Sequence, residues 1–107
     1  MRRPLVEIFY FEGCLNHEPA RALVERISAQ LRVAPKIELV EVPDADAAKE
    51  LQFLGSPTVR VNGRDVEPGA DRRGDYVFSC RLYWSEHGCA GHPEEGWIRE
   101  ALREAAA

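Results

Sequence analysis

Three successive hydrophobic periods within the first 42 residues constrain this 107-residue chain more than any other feature. Leu5 to Phe11 is apolar except for Glu7 and rich in β-branched and aromatic residues, which predicts a strand buried on both faces at the centre of an α/β sheet. The period then becomes helical. Ala20, Leu23, Val24, Ile27 and Leu31 recur on one face and Glu18, Arg21, Glu25, Arg26 and Gln30 on the other, predicting a helix over 17–32. Asn16 stands at the N-cap position, Glu18 suits the first turn, and Pro19 falls where proline is tolerated. From Ile37 to Val42 apolar and acidic residues alternate, which predicts a second strand ended by Pro43. A strand, a helix and a strand in this order imply a parallel pair joined by a right-handed crossover.

The remaining elements follow from local signals. Asp44 caps a short helix running to about Leu51 and closed by Gly55. Thr58 to Val61, Asn62-Gly63 and Arg64 to Val66 form a hairpin pattern, because Asn-Gly accepts the positive φ angles of a two-residue turn. His92-Pro93-Glu94-Glu95 opens a last helix whose buried stripe is Trp97, Ile98, Ala101, Leu102 and Ala105. The order is β-α-β-α-β-β, an irregular stretch, then α, giving a mixed four-stranded sheet flanked by helices in a single domain over 1–107. Residues 68–92 carry two periodicities. Tyr76, Phe78, Cys80, Leu82 and Trp84 alternate as on a strand, while Tyr76, Val77, Cys80 and Trp84 also fit one helical face. We read the stretch as extended, with its aromatics packed over the sheet.

Composition narrows the function. The net charge of −4 argues against nucleic acid or an acidic membrane surface as partner. No run approaches the ~20 apolar residues of a membrane span. The charged Met1-Arg2-Arg3 start leads into a run broken by Glu7 and Glu12 with no small-residue cleavage site, so no secretory signal is read. With three cysteines, this points to a reducing cytoplasm and free thiols. Twelve of the 14 basic residues are arginine, and Arg60, Arg64, Arg72, Arg73 and Arg81 fall in one stretch that reads first as a solvated charged edge. No cofactor is called for, and oligomeric state is left open.

The chemistry centres on Cys14. It lies where the first strand gives way to the first helix, in Phe11-Glu12-Gly13-Cys14-Leu15-Asn16-His17-Glu18. A thiol at a helix N-terminus has a route to the thiolate, the form that acts as nucleophile or metal ligand, and a protonated His17 would help. The second cysteine of a Cys-x-x-Cys pair is absent, and His17 occupies its position. Cys80 reads first as part of an apolar face with Phe78 and Leu82. If its segment crosses the mouth of the site, it would supply a resolving thiol or a second metal ligand. Cys80, His87, Cys89 and His92 are acceptable zinc ligand types, but Cys-x6-His-x-Cys-x2-His matches no familiar module, so a glycine-rich loop with incidental side chains is preferred and His92 is read as a helix cap.

A cysteine at the first strand–helix junction, followed by Gly55-Ser56-Pro57-Thr58 opening the third strand, resembles the thioredoxin fold over roughly 5–67 and 93–106. The resemblance implies a three-layer sandwich with 68–92 as an insertion. It implies that Cys14 matches the nucleophilic cysteine and His17 the resolving position, that the Ser56–Pro57 bond is cis, and that Ser56, Pro57 and Thr58 contact substrate. Glu-Gly-Cys-x-Asn-His-Glu-Pro with Ser-Cys-Arg-x-Tyr is similar to a group of small bacterial proteins labelled thioredoxin-domain or alkylmercury-lyase-like. No residue role is carried over from the organomercurial lyases themselves.

Three functions are consistent with these residues. In the first, Cys14 attacks a small thiol's disulfide, a protein disulfide or a peroxide, Cys80 or an external thiol resolves the product, and the arginines from Arg60 to Arg81 hold an anionic thiol. In the second, the domain is a non-enzymatic thioredoxin-like scaffold. In the third, Cys14 and Cys80 clasp mercury, copper(I) or zinc.

Overall fold

The computed structural model describes residues 3–106. Strand β1 (Leu5–Tyr10) leads to helix α1 (His17–Leu31), strand β2 (Lys36–Glu41) and helix α2 (Ala45–Glu50). Strands β3 (Thr58–Val61) and β4 (Arg64–Asp65), a 3-10 turn (Ala70–Arg72), strands β5 (Tyr83–Ser85) and β6 (Gly88–Ala90), and helix α3 (Glu95–Ala106) complete the chain. The main sheet has the order β2-β1-β3-β4. β1 is parallel to β2 and antiparallel to β3, and β3 is antiparallel to β4, so the chain is mixed α/β as its periodicities predict. No helix among the described residues is long and apolar enough to cross a membrane.

The main core lies under one face of this sheet. Val6 and Ile8 of β1 and Val59 and Val61 of β3 meet Ala20, Val24 and Ile27 of α1 and Ile98 and Leu102 of α3. Trp97, Ala101 and Ala105 flank that core half-buried. The opposite face is covered only at one end, where Phe9, Val42, Ala48 and Phe53 cluster beneath α2. β1 is therefore not buried on both faces along its length. A six-residue helix cannot span the strand, and Leu5 and Glu7 stay half-buried.

The Asp44 and Asn62-Gly63 signals are used as predicted; Gly55 does not close α2, which ends at Glu50 with Gln52 in the left-handed conformation at φ 56°. Asp44 accepts a hydrogen bond from the Ala47 amide at 2.8 Å and caps α2. Asn62 and Gly63 hold φ angles of 51° and 83°, the left-handed pair of a tight hairpin turn. The Asn62 side-chain oxygen also accepts from the Leu5 amide, tying the turn to the start of β1. Asn16 occupies the N-cap of α1 but makes no capping hydrogen bond with its side chain. Its amide instead abuts Gly91, where an added Cβ would lie 2.4 Å from the Asn16 side-chain nitrogen.

The 68–92 segment makes a 3-10 turn at Ala70–Arg72 and later runs extended into Tyr83–Ser85, where its phase is the reverse of that expected. Arg81 and Tyr83 are buried, whereas Phe78, Cys80, Leu82 and Trp84 are exposed. The inward positions are set by polar partners: Arg81 finds carboxylates and Tyr83 a backbone carbonyl, and hydrophobic alternation cannot register either. Its end folds into a small antiparallel hairpin in which Tyr83 pairs with Ala90, Trp84 with Cys89 and Ser85 with Gly88, an element without a sequence signal strong enough to predict.

Gly55 is where this segment approaches the sheet most closely. Its φ is +118°, and a Cβ there would lie 2.7 Å from the Arg81 Cβ. Gly55→Ala therefore combines strain with overlap and is expected to lower the unfolding free energy by about 2–4 kcal/mol. Gly63→Ala meets nothing within 4 Å, so only the backbone penalty of about 1 kcal/mol is expected. Urea midpoints of the two variants, measured side by side, check the order.

Candidate functional site

Cys14 lies in the turn between β1 and α1, two residues before Asn16. Its amide donates to the Phe11 carbonyl at 3.1 Å, which curls the chain back on itself. The residue is 4% exposed, while its neighbour Leu15 is 88% exposed, so the turn carries the thiol inward and the leucine outward.

His17 serves the backbone of this turn. Its Nδ1 donates to the Cys14 carbonyl oxygen at 2.7 Å, its Nε2 lies 3.2 Å from a Glu18 carboxylate oxygen, and its ring stacks on Tyr10 with centroids 4.4 Å apart. Both ring nitrogens face oxygen acceptors, and both can donate only when the ring carries two protons. His17 thus holds the peptide that carries Cys14, and each of its nitrogens is engaged by an oxygen.

Ser56, Pro57 and Thr58 are all buried, and the Ser56–Pro57 bond is cis, as the resemblance implies. The Thr58 hydroxyl donates to the Gly55 carbonyl at 2.6 Å and accepts from Arg81 Nη1 at 3.0 Å. Both backbone polar groups of Ser56 are also occupied. Its amide donates to the Ser79 carbonyl at 2.9 Å, and its carbonyl accepts from the Arg81 amide at 2.9 Å. Residue 80 consequently sits directly across from Ser56 in a parallel bridge. The three residues expected to touch substrate are enclosed by the chain's own 79–81 stretch.

Cys14 and Cys80 are brought to the same end of the sheet. Phe9 pairs with Thr58 in the antiparallel β1–β3 ladder, which carries the chain after β1 past the residues preceding β3. The Phe11 ring meets the Phe78 ring edge-on at 5.2 Å, so the two cysteine-bearing segments touch. All three thiols are free. Cys14 is buried, and Cys80 and Cys89 are exposed.

The four zinc-type ligands do not gather. Cys89 faces solvent on β6, His87 Nδ1 lies 3.0 Å from Glu94, and His92 Nδ1 contacts the Pro93 carbonyl rather than an amide of α3. The one cluster of three metal-type ligands among the described residues is Glu86, His87 and Glu94, and it contains neither cysteine. The arginine stretch is mostly committed to internal bonds. Arg60 donates to the carbonyls of Leu51 and Gln52 at 2.7 and 3.0 Å, and Arg73 pairs with Asp75 and Glu67 at 2.7 and 3.2 Å. Arg73 holds the Asp75 carboxyl below its usual range by donating to it. These two and the buried Arg81 are not available to an anion, which leaves Arg64 and Arg72 without salt bridges among the described residues.

Arg81 organises the site and was not foreseen. It grips Asp65 through both terminal nitrogens at 2.8 and 3.2 Å, reaches Glu67 at 3.6 Å, and stacks over the Tyr83 ring at 4.3 Å. Burial works against its charge, but Tyr83, Asp65 and Glu67 together outweigh that cost and its pKa lies above the ordinary arginine value. Burial pushes the Tyr83 phenol up, keeping it a neutral donor to the Pro57 carbonyl at 2.5 Å. The available sequence signal was the opposite phase of the same alternation, with Arg81 and Tyr83 two residues apart.

No protein-family model matches this chain, and no curated protein matches it.

Removing Arg81 strands a carboxylate in a largely dry setting, so Arg81→Leu is expected to cost about 3–5 kcal/mol. Tyr83→Phe leaves the Pro57 carbonyl without a donor and is expected to cost about 1–2 kcal/mol. Urea unfolding of both variants tests the ranking. If Arg81→Leu proved as stable as the parent, the pair would not anchor the segment.

Proposed function

We propose that this protein is a thioredoxin-like thiol–disulfide exchange protein in which Cys14 is the nucleophile and Cys80 the second thiol. The observation that carries this reading is the seating of residue 80 opposite Ser56, at the end of the sheet where the β1–α1 turn holds Cys14. The strand order β2-β1-β3-β4, with α1 and α3 packed on one face and α2 on the other, supports the thioredoxin-like assignment.

The exchange balances without a cofactor. The Cys14 thiolate attacks one sulfur of a substrate disulfide, forming a mixed disulfide and releasing the other half as a thiolate. The Cys80 thiolate then attacks the Cys14 sulfur, forming the internal disulfide and releasing the second half. An external thiol that instead attacks the substrate sulfur of the mixed disulfide releases Cys14 as the thiolate, the monothiol route. His17 is a positioning residue, because it holds the carbonyl of Cys14.

Cys14→Ser is expected to reduce disulfide exchange to background, and Cys80→Ser to slow turnover while leaving a trapped adduct on Cys14. After mild oxidation, intact mass is expected to fall by two hydrogens in the parent and in Cys89→Ser, but not in either of the other variants. Full exchange activity in Cys14→Ser would sink the assignment.

A further inference from the structure

The β1–α1 turn and the Cys80 stretch meet through a pair of aromatic rings. Phe11, three residues before Cys14, is half-buried, and Phe78, two residues before Cys80, is 36% exposed. The hydrogen bonds of the turn are local: the Cys14 amide reaches the Phe11 carbonyl, and the His17 ring reaches the Cys14 carbonyl. Among the described residues, no hydrogen bond joins residues 11–15 to 76–84. The edge-on ring contact at 5.2 Å makes that connection.

Each ring is tied to a cysteine by a short, constrained path. On one side, the Cys14 amide donates to the Phe11 carbonyl at 3.1 Å, so ring and thiol belong to one tight turn. On the other, the Val77 amide donates to the Phe53 carbonyl and the Ser56 amide to the Ser79 carbonyl, both at 2.9 Å. These two bonds bracket Phe78, where the chain bends, and the second leads directly to Cys80 in its bridge with Ser56. Phe78 is therefore held at both flanking residues. Gly13, by contrast, lies in open space, with nothing within 4 Å of an added Cβ, so the ring contact rather than packing around Gly13 steadies this side of the turn. An edge-to-face pair is favourable beyond the area that it buries.

We propose that Phe11 and Phe78 are positioning residues for the closing step: they clamp the Cys14 turn to the Cys80 stretch and raise the effective concentration of one thiol at the other. This deepens the exchange reading and rests on it, since it concerns the step in which Cys80 displaces the substrate half from Cys14. In a glutathione buffer, the two protein thiols and one glutathione disulfide give the internal disulfide and two glutathiones, so the electrons balance between protein and buffer. Without the clamp, the dithiol form gains freedom that the disulfide form must give up. The equilibrium then moves toward the dithiol.

The test uses the whole protein with Cys89→Ser, equilibrated in glutathione buffers and quenched with acid. Intact mass reads the fraction that has lost two hydrogens. Phe78→Ala is expected to lower the equilibrium constant for the internal disulfide about three- to tenfold, the range of one aromatic pair. Phe11→Ala is expected to do the same, and the double variant to lose no more than either single one, because both remove one contact. Phe78→Tyr keeps the ring and is expected to match the parent. So is Val77→Ala, which shortens a neighbouring side chain that is 43% exposed. A merely structural contact would lower the urea midpoint and leave this constant unchanged, and that result in Phe78→Ala overturns the proposal. An equal fall in Val77→Ala, or full additivity in the double variant, overturns it too. If the parent forms no internal disulfide, the proposal and the role of Cys80 in the exchange fail together. If it forms one that Phe78→Ala does not weaken, the proposal alone fails.

Discussion

The buried Arg81–Asp65 pair is the constraint on which the site depends. A pair of this kind adds little net stability, because desolvation offsets most of the attraction. What it gives here is phase. A strand slipped by one residue turns every side chain to the other face, and such a slip in 79–83 would bring Leu82 inward and leave Asp65 without its cation. The bidentate grip on Asp65, the bond to Thr58 and the stacking on Tyr83 together admit one register. That register places residue 80 across from Ser56.

The same register explains why the second thiol is open. With Arg81 directed inward, extended backbone geometry turns Cys80 the other way, and Cys80 is indeed exposed beside a cleft. Cys14 has the opposite environment: its turn faces inward and its carbonyl is held by His17. One fold thus presents one sheltered thiol and one accessible thiol at a single end of the sheet. In the proposed exchange the sheltered thiol carries the mixed disulfide, away from bulk thiols, and the accessible one resolves it.

Much of the scaffold was legible because its signals are local or periodic. The β-α-β start, the Asp44 cap and the Asn62-Gly63 turn each depend on residues adjacent in sequence, and each has the form expected. The extent of burial on β1 was not legible, since it depends on the length of α2, a tertiary property. The phase of 76–84 was misread for a related reason. Hydrophobicity ranks Phe78, Leu82 and Trp84 as the inward set, but the interior at that place holds carboxylates, and a carboxylate-lined interior selects Arg81. The candidate site was legible as to residue and not as to neighbourhood: Cys14 stood out by position, whereas the 79–81 stretch against Ser56 is a contact between residues more than twenty positions apart.

Asn16 shows how the distant segment reshapes even a local rule. An asparagine at an N-cap ordinarily accepts from an amide of the first turn. Here its amide packs against Gly91, at the far end of the 68–92 segment, and α1 begins without that bond. The Ala20 amide still bonds to the Asn16 carbonyl, so the helix is kept while its side-chain cap is given up. The segment therefore touches the Cys14 turn from two sides, through Phe78 against Phe11 and through Gly91 against Asn16. A Cβ at 91 would overlap the Asn16 amide as it stands and would push that side chain aside. Contacts on both flanks restrict the turn more than a helix cap alone, which fixes only the first turn of α1. The environment of Cys14 is thus set as much by residues 78–91 as by the strand and helix that it joins.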